Sequence, residues 1–230
     1  MLTLGVDSSA KTASVAILDT EQNPPAVLAF SYTNNKLTHS TTLMPLIADA
    51  LKNSSIDINR IELLCVTHGP GSFTGIRIGV AAVKGLGDGL GIPCAGVSTL
   101  KAMAYGVACC GDNIICAVMD ARANQVYNAV FEIKNGIITR LCEDRAIALD
   151  ELLGELKKLD KPVVFVGDGA DLCYNNMIDS IDCMVFTNDI LKYQTAIGCV
   201  LAAHDEKKIK SRDLVPTYLR VSQAERMKGQ

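Results

Sequence analysis

One arrangement occurs twice in this chain, and it limits the folds available to it. Near the start, the apolar run LTLGVD is followed by the polar turn SSAKT and a second apolar run, ASVAIL. Past Gly111, NIICAVMDA is followed by Arg122-Ala123-Asn124 and then by QVYNAVFEI. Both segments read as strand, aspartate, turn, strand. Each adds a third run: AVLAFSYT at 26–33 after Asn23-Pro24-Pro25, and 137–142 after the hairpin signal Asn135-Gly136. Helical patterns begin only after these strands. A single doubly wound sheet would alternate strands and helices from the outset. Two related α/β halves fit the order of elements better, although no residue-level repeat accompanies it.

The connecting segments follow from periodicity. Leu43, Leu46, Ile47, Ala50 and Leu51 recur at helical spacing and predict a helix over 42–53. Thr41 or Thr42 would cap it and leave Pro45 in the first turn, where the missing N–H costs least. A start nearer Thr38 would instead put Pro45 at a kink. A buried strand is expected over 61–69, a Gly-rich loop over 69–75, a helix over 76–89 and a short strand over 93–97. Ser98 then caps a helix to Cys109. In the second half, Asp150 caps a helix to Leu159, PVVFVG is a strand, 170–179 is helical and CMVFT is a strand. A last long helix is expected over 193–204, and Pro216 stops any helix in the tail.

With 49% apolar and 20% charged residues, the 230-residue chain has the material for a packed core and is not disordered. Its nine cysteines include no C-x-x-C pair and no Cys/His cluster with zinc-ligand spacing. Most lie in apolar runs such as LLCV, IICAV and IGCVLAA, and read as reduced core cysteines of a cytosolic protein. The N-terminus has no basic leader, and the longest apolar stretch is broken by Gly111-Asp112-Asn113. The chain therefore reads as soluble and cytoplasmic, with no membrane association. Net charge is -3, yet residues 204–230 are net basic. That tail is either a solvated face or a contact to RNA phosphates. Aromatics make up only 5% of the chain, which leaves little stacking surface for bases.

Three turns carry possible chemistry. Asp7, Ser8, Ser9 and Thr12 would aim hydroxyls and backbone N–H groups at one point, as in a phosphate nest, or would simply close a hairpin. Asp120 and Arg122 occupy the equivalent second turn, which lacks glycine, so its backbone cannot approach a phosphate closely and Arg122 would supply charge instead. Gly167, Asp168 and Gly169 follow an apolar strand and would let a base or sugar approach. Taken in this order, the three turns point to an actin-like, sugar-kinase-like nucleotide cleft between two halves. The loop GPGSFTG lacks the Lys-Ser/Thr of a P-loop and the spacing of a nucleophile elbow. The helix behind it is crowded with glycine, each interior one costing ~1 kcal/mol against alanine. Gly75/Gly79 and Ala81/Gly85/Gly89 leave flat faces four residues apart. These serve either internal packing or docking of another subunit, with Met44 and Ala48 of the first helix alongside. His39, His68 and His204 form no metal-binding pattern.

LGVDSS…ASVAIL, HSTTLMPLI, THGPGSFTGIRIG, MDARANQVYNAVF, VVFVGDGA and VPTYLRVSQAE together resemble the bacterial TsaB family, formerly YeaZ, over nearly the whole chain. The resemblance implies an α/β, actin/Hsp70-like (ASKHA) fold of two ribonuclease-H-like subdomains: 1–105 plus a returning helix within 191–215, then 106–190, with a tail over 216–230. It implies a non-catalytic partner subunit in the complex that places a threonylcarbamoyl group on the adenosine next to the anticodon of tRNAs reading codons that begin with A. The chemistry would belong to a larger metal-bearing paralogue, TsaD, which this chain scaffolds and activates, and an ATPase, TsaE, would join them. Alone, the chain would form a homodimer, and tRNA would be reached through the complex. In the paralogue a His-rich helix start holds the metal. The matching stretch here, 92–100, contains no histidine, and the ligand positions fall at about Gly96 and Leu100. No metal and no catalytic residue are therefore expected, and ATP or ADP would bind only weakly or at the interface in the complex. The partner face implied is His39, Leu43, Met44, Ala48, Arg77, Gly79, Val83 and Leu86. The alternative is an independent actin-like-fold ATPase or small-molecule kinase using Asp7 and Asp120. A peptidase, a label the wider family has attracted, would need a nucleophile or metal that cannot be placed.

Overall fold

The computed structural model describes residues 1–34, 38–186 and 188–220. Strands β1 (Leu2–Asp7), β2 (Ala13–Asp19) and β3 (Ala26–Thr33) form an antiparallel meander. β4 (Leu63–Gly69) and β5 (Cys94–Ser98) add in parallel, giving the order β3-β2-β1-β4-β5. The second sheet repeats this plan. β6 (Ile114–Asp120), β7 (Gln125–Lys134) and β8 (Ile137–Arg140) are antiparallel neighbours, and β10 (Val163–Val166) and β11 (Cys183–Val185) run parallel to β6. Its order is β11-β10-β6-β7-β8, with β9 (Arg145–Ala148) pairing the far part of β7. A three-stranded meander extended by two parallel strands is the ribonuclease-H-like order. Its duplication is the actin/Hsp70-like α/β fold that the repeated hairpins predict.

Strand alternation builds the layers. On β1, Leu4 and Val6 face a core shared with α1 (His39–Ser54) and α2 (Phe73–Leu90). On the opposite face of that sheet, Ala16, Leu18 and Cys65 meet α7 (Ala196–Ala203). In β6, Ile114, Cys116 and Val118 face a core with α4 (Leu149–Leu156) and α5 (Ala170–Met177). Ile115, Ala117 and Met119 face Leu100, Met103 and Ala104 of α3 (Thr99–Gly106). Helices α7 and α3 thus form the middle layer between the two sheets. Among the described residues, no helix is long and apolar enough to cross a membrane.

Several boundaries differ from expectation. α1 starts at His39 after an extended Thr38, so Pro45 lies inside the helix and leaves the Thr41 carbonyl without its helical donor. α2 starts at Phe73, because the Ser72 hydroxyl accepts from the Gly75 N–H at 3.2 Å. Ser98 caps α3 as predicted, but the helix ends at Gly106. Asp150 lies in the first turn of α4 rather than at its cap. The expected last helix is two helices, α6 (Asp189–Lys192) and α7, separated by extended Tyr193 and Thr195. Thr195 caps the second of these, and the Ser14 hydroxyl on β2 accepts from the Ala196 N–H at 2.9 Å. Of the cysteines, Cys65, Cys94, Cys116, Cys173 and Cys199 are buried, Cys142 and Cys183 are half-buried, and Cys109 is exposed. The Cys110 side chain lies outside the described residues, as do 221–230, which hold the end of the quoted tail motif.

The helical glycines divide into two kinds. A Cβ on Gly198 would lie 2.1 Å from the Ala102 carbonyl oxygen, where α7 crosses α3. A Cβ on Gly85 would meet nothing within 4 Å. Gly198→Ala should therefore destabilise the protein by about 1–3 kcal/mol. Gly85→Ala should stabilise it by up to ~1 kcal/mol. Urea unfolding of both variants checks the pair, and equal effects would refute this assignment of the middle layer.

Candidate functional site

The first turn is not an open nest. Asp7, Ser8, Ser9 and Thr12 are all buried. The Gly-rich loop and the start of α2 lie directly on them. A Cβ on Gly75 would sit 2.1 Å from the Ser8 carbonyl oxygen, and one on Gly79 2.5 Å from the Ser8 hydroxyl. The Ser8 hydroxyl donates to the Gly75 carbonyl at 2.9 Å, and the Ser72 N–H donates to the Ser9 carbonyl at 2.6 Å. Asp7 accepts from the N–H and hydroxyl of Ser9, at 3.2 Å each. Burial pushes its carboxyl up to about 6, against the pull of those two donors. His39 closes the other side. Its Nε2 lies 2.6 Å from the Ala10 carbonyl oxygen, which can only accept, so Nε2 carries the proton. Among the described residues its buried Nδ1 has no partner.

The second and third turns do meet. The Asp120 N–H donates to Asp168 Oδ1 at 3.4 Å. Partial desolvation and, more weakly, the Asp120 carboxylate raise the Asp168 carboxyl above its ordinary value. Gly167 and Gly169 let the protein's own backbone approach closely. A Cβ on Gly167, at φ +107°, would lie 2.0 Å from the Val118 carbonyl oxygen, and Gly169 packs against Met119 and Asp120. The second turn holds Arg122, Ala123 and Asn124 at φ 62°, 51° and 58°, a left-handed run without glycine. Across the gap, Lys11 donates to the Tyr193 hydroxyl at 3.0 Å.

A strap over 214–220 joins the halves, and the sequence carried its motif without a role. Leu214 is buried in the first core. The Thr217 N–H donates to the His68 carbonyl at 2.7 Å. Tyr218 stacks on Phe73 with ring centroids 4.5 Å apart and accepts from Arg77 Nε at 3.0 Å. Arg220 then crosses to the second sheet and donates to the Ala121 carbonyl at 2.9 Å.

The outer faces of α1 and α2 are a second candidate site, and here the expected residues divide. Met44, Ala48 and Arg77 are exposed and Leu86 is half-buried. Leu43 and Val83 are core residues at 1% and 0% exposure. Gly79 faces Ser8, and half-buried His39 is committed to Ala10. Leu43, Val83 and Gly79 thus serve packing within the chain, while His39 keeps part of its surface at the outer face. Ala81, Gly85 and Gly89 are exposed, and neither glycine has anything within 4 Å of a Cβ. Of the two small-residue faces of α2, one is therefore internal and the other faces outward.

A family model described as TsaD: tRNA N6-adenosine threonylcarbamoyltransferase matches residues 9–225. The Bacillus subtilis (strain 168) tRNA threonylcarbamoyladenosine biosynthesis protein TsaB is 31% identical over 226 residues, spanning 98% of this chain and 96% of that protein. The chain belongs to this family, among its TsaB members. The Escherichia coli (strain K12) protein of the same name is 35% identical over 133 residues, 57% of this chain and 58% of that one. YeaZ from Pseudomonas aeruginosa shares the fold, with a TM-score of 0.76 at 21% identity over 95% of this chain and 99% of that one.

In this TsaB-family chain Gly96 and Leu100, which the resemblance sets at about the paralogue's metal-ligand positions, are packing positions. Leu100 is fully buried in the core between α3 and the second sheet. A Cβ on Gly96 would lie 3.0 Å from His68 Nδ1 and 3.1 Å from Leu214. His68 Nδ1 is itself 3.1 Å from the Val215 carbonyl oxygen, within the strap. Among the described residues, no group of three His, Cys, Asp or Glu side chains is placed to hold a metal.

The buried Asp7 gives a signed pH effect. Its folded carboxyl, at about 6 against 3.8, holds a proton more tightly than the unfolded chain does. The group therefore costs the fold stability as pH rises from about 4 through 6. Asp7→Asn should gain on the wild type by on the order of 2–3 kcal/mol between about pH 4 and pH 7.5. Urea unfolding at both values measures this, and a pH-independent difference would contradict the burial account. Separately, Ala123→Gly should raise stability by about 1 kcal/mol by relieving the left-handed turn. A thermal melt with no upward shift would remove the strain argument.

Proposed function

We propose that this chain is the non-catalytic partner subunit of the complex that transfers a threonylcarbamoyl group to the adenosine next to the anticodon of tRNAs reading codons beginning with A. The observation that carries the reading is the filling of the matched ligand positions by Gly96 and Leu100. Neither side chain can ligate a metal, and both sites are closed by His68, Leu214 and the α3 core. The match of the TsaD family model over 9–225 supports a catalytic paralogue of the same fold as the partner. The outward stripe Ala81/Gly85/Gly89, beside Met44 and Ala48, supports α1 and α2 as the docking face. The outward small-residue face allows close helix approach, and the same face would join two copies when the chain is alone. TsaE would act on the assembled pair. The subdomains are read as 1–105 with 191–215, and 106–190, with α7 returning to the first. A nucleotide would bind weakly or only at the assembled interface, because the Asp7 turn is covered by residues 71–75. The independent kinase or ATPase reading requires that turn to be open.

Reconstitution with TsaD, TsaE, tRNA and the activated threonylcarbamoyl donor tests the role. Omitting this chain should abolish modification. Gly85→Arg places bulk where nothing now stands and leaves the core untouched. It should fold normally, lose co-elution with TsaD and lower modification more than tenfold. Wild-type assembly by the folded variant would remove α2 as the docking face.

A further inference from the structure

The segment 207–212 presents a basic rim that neither the docking face nor the cleft uses. Lys207, Lys208, Lys210 and Arg212 are all exposed, four cations within six residues of a chain with net charge -3. The backbone that carries them is fixed. Ile209 pairs with Cys94 at the free edge of β5: the Cys94 N–H donates at 2.9 Å and the Ile209 N–H at 2.8 Å. The Ile209 side chain packs on the first core, so Lys208 and Lys210, flanking it in extended backbone, point away from that core. Lys84 Nζ donates to the carbonyls of Arg212 and Leu214 at 3.0 Å each, which anchors the end of the segment. Lys208, Lys210 and Arg212 border a cavity of about 500 Å³ beside the end of α2.

The charges of this rim are largely uncompensated. Among the described residues, neither Lys207 nor Lys210 is paired with a carboxylate, and Lys208 reaches only the Met1 sulfur, at 3.3 Å. Asp213 lies 3.9 Å from Arg212, and Asp88, which lines the cavity, accepts from the Ser211 hydroxyl at 3.4 Å. With Ile209 turned inward, the segment offers no aromatic or apolar anchor of the kind that dominates protein interfaces. It offers charge at fixed spacing, which suits a phosphate backbone read without regard to sequence.

We propose that this rim is a phosphate-backbone contact for RNA, through which the chain touches the tRNA substrate directly. The inference rests on the role in tRNA modification proposed above. It is tested in the reconstituted complex with full-length chain, by fluorescence anisotropy of labelled tRNA across a salt series. The variant with Lys207, Lys208, Lys210 and Arg212 all changed to Ala should bind tRNA at least tenfold more weakly at low salt. The slope of log affinity against log salt should flatten by about 0.7–0.9 for each phosphate that the variant no longer neutralises. Changing the three lysines to Arg should keep the wild-type slope. Co-elution with TsaD and the thermal melt should be unchanged in both variants. Unchanged tRNA affinity and slope in the alanine variant would overturn the proposal. So would loss of TsaD co-elution with tRNA affinity intact, since the rim would then serve an acidic protein surface. The chain-omission arm of the modification assay reads the proposed role separately, so the two can fail independently.

Discussion

Ser8 beneath the first two turns of α2 is the contact on which the rest of the molecule depends. Both Gly75 and Gly79 must lack a side chain for the helix to lie on that turn, and the Ser8 hydroxyl donates to the Gly75 carbonyl across the gap. This contact sets the rotation of α2. Ile76, Val80 and Val83 then enter the core, while Arg77, Ala81, Gly85 and Gly89 face outward. It also fills the place a phosphate nest would need, so one packing decision both covers the Asp7 turn and leaves the small residues of the other face exposed. The helical propensity forgone at Gly75 and Gly79, ~1 kcal/mol each, is offset by close contact with the Ser8 turn that larger residues would prevent.

The same end of α2 holds the strap. Phe73 and Arg77 lie one helical turn apart and in contact with each other, and both hold Tyr218, from which the chain reaches Ala121 beyond β6. The halves are thus joined at two levels, by α7 and α3 in the middle layer and by the strap across the mouth. Asp120 and Asp168 meet near the mouth, where burial raises the Asp168 carboxyl above its ordinary value and the Asp120 N–H hydrogen bond opposes that rise. The second turn keeps a left-handed run without glycine. That shape is held by Arg122 N–H donation to Asp120 at 2.7 Å and by the β6–β7 ladder around it.

Strand signals were legible because a half-buried or buried strand declares itself over a few adjacent residues. LTLGVD, ASVAIL and QVYNAVFEI each stand where their patterns place them, and the duplicated order follows from them. β9 escaped notice because four residues, RAIA, pair with a distant part of β7 and offer only Ile147 as a buried position. The division of α6 from α7 was hidden because Thr195 recaps the chain and the Ala196 N–H after it donates to Ser14 on β2, which is 182 residues from Ala196 in sequence. The candidate docking face shows the same limit more sharply. Spacing identified two small-residue faces on α2, but it could not say which one meets Ser8. Leu43 and Val83 satisfy an apolar pattern equally well whether the covering surface is internal or external. The strap was visible as a motif and silent as a contact, because its partners Phe73, His68 and Ala121 lie in three other segments.

Gly96 and Leu100, the positions that the family resemblance sets against metal ligands, have structural duties of their own. Leu100 and Gly96 are not merely poor ligands standing in an otherwise intact site. Leu100 contributes to the core that seats α3 on the second sheet, and Gly96 admits His68 and Leu214 at van der Waals distance. A histidine at 100 would bury an imidazole among Met103, Ala104 and Ile115 with no polar partner assured, at a cost of a few kcal/mol. A side chain at 96 would push on His68, whose ring nitrogen meets the Val215 carbonyl, and so would load the strap. Leu100 and Gly96 thus belong to the packing that holds α3, the second sheet and the strap together, and a polar side chain at either position would have to displace part of it.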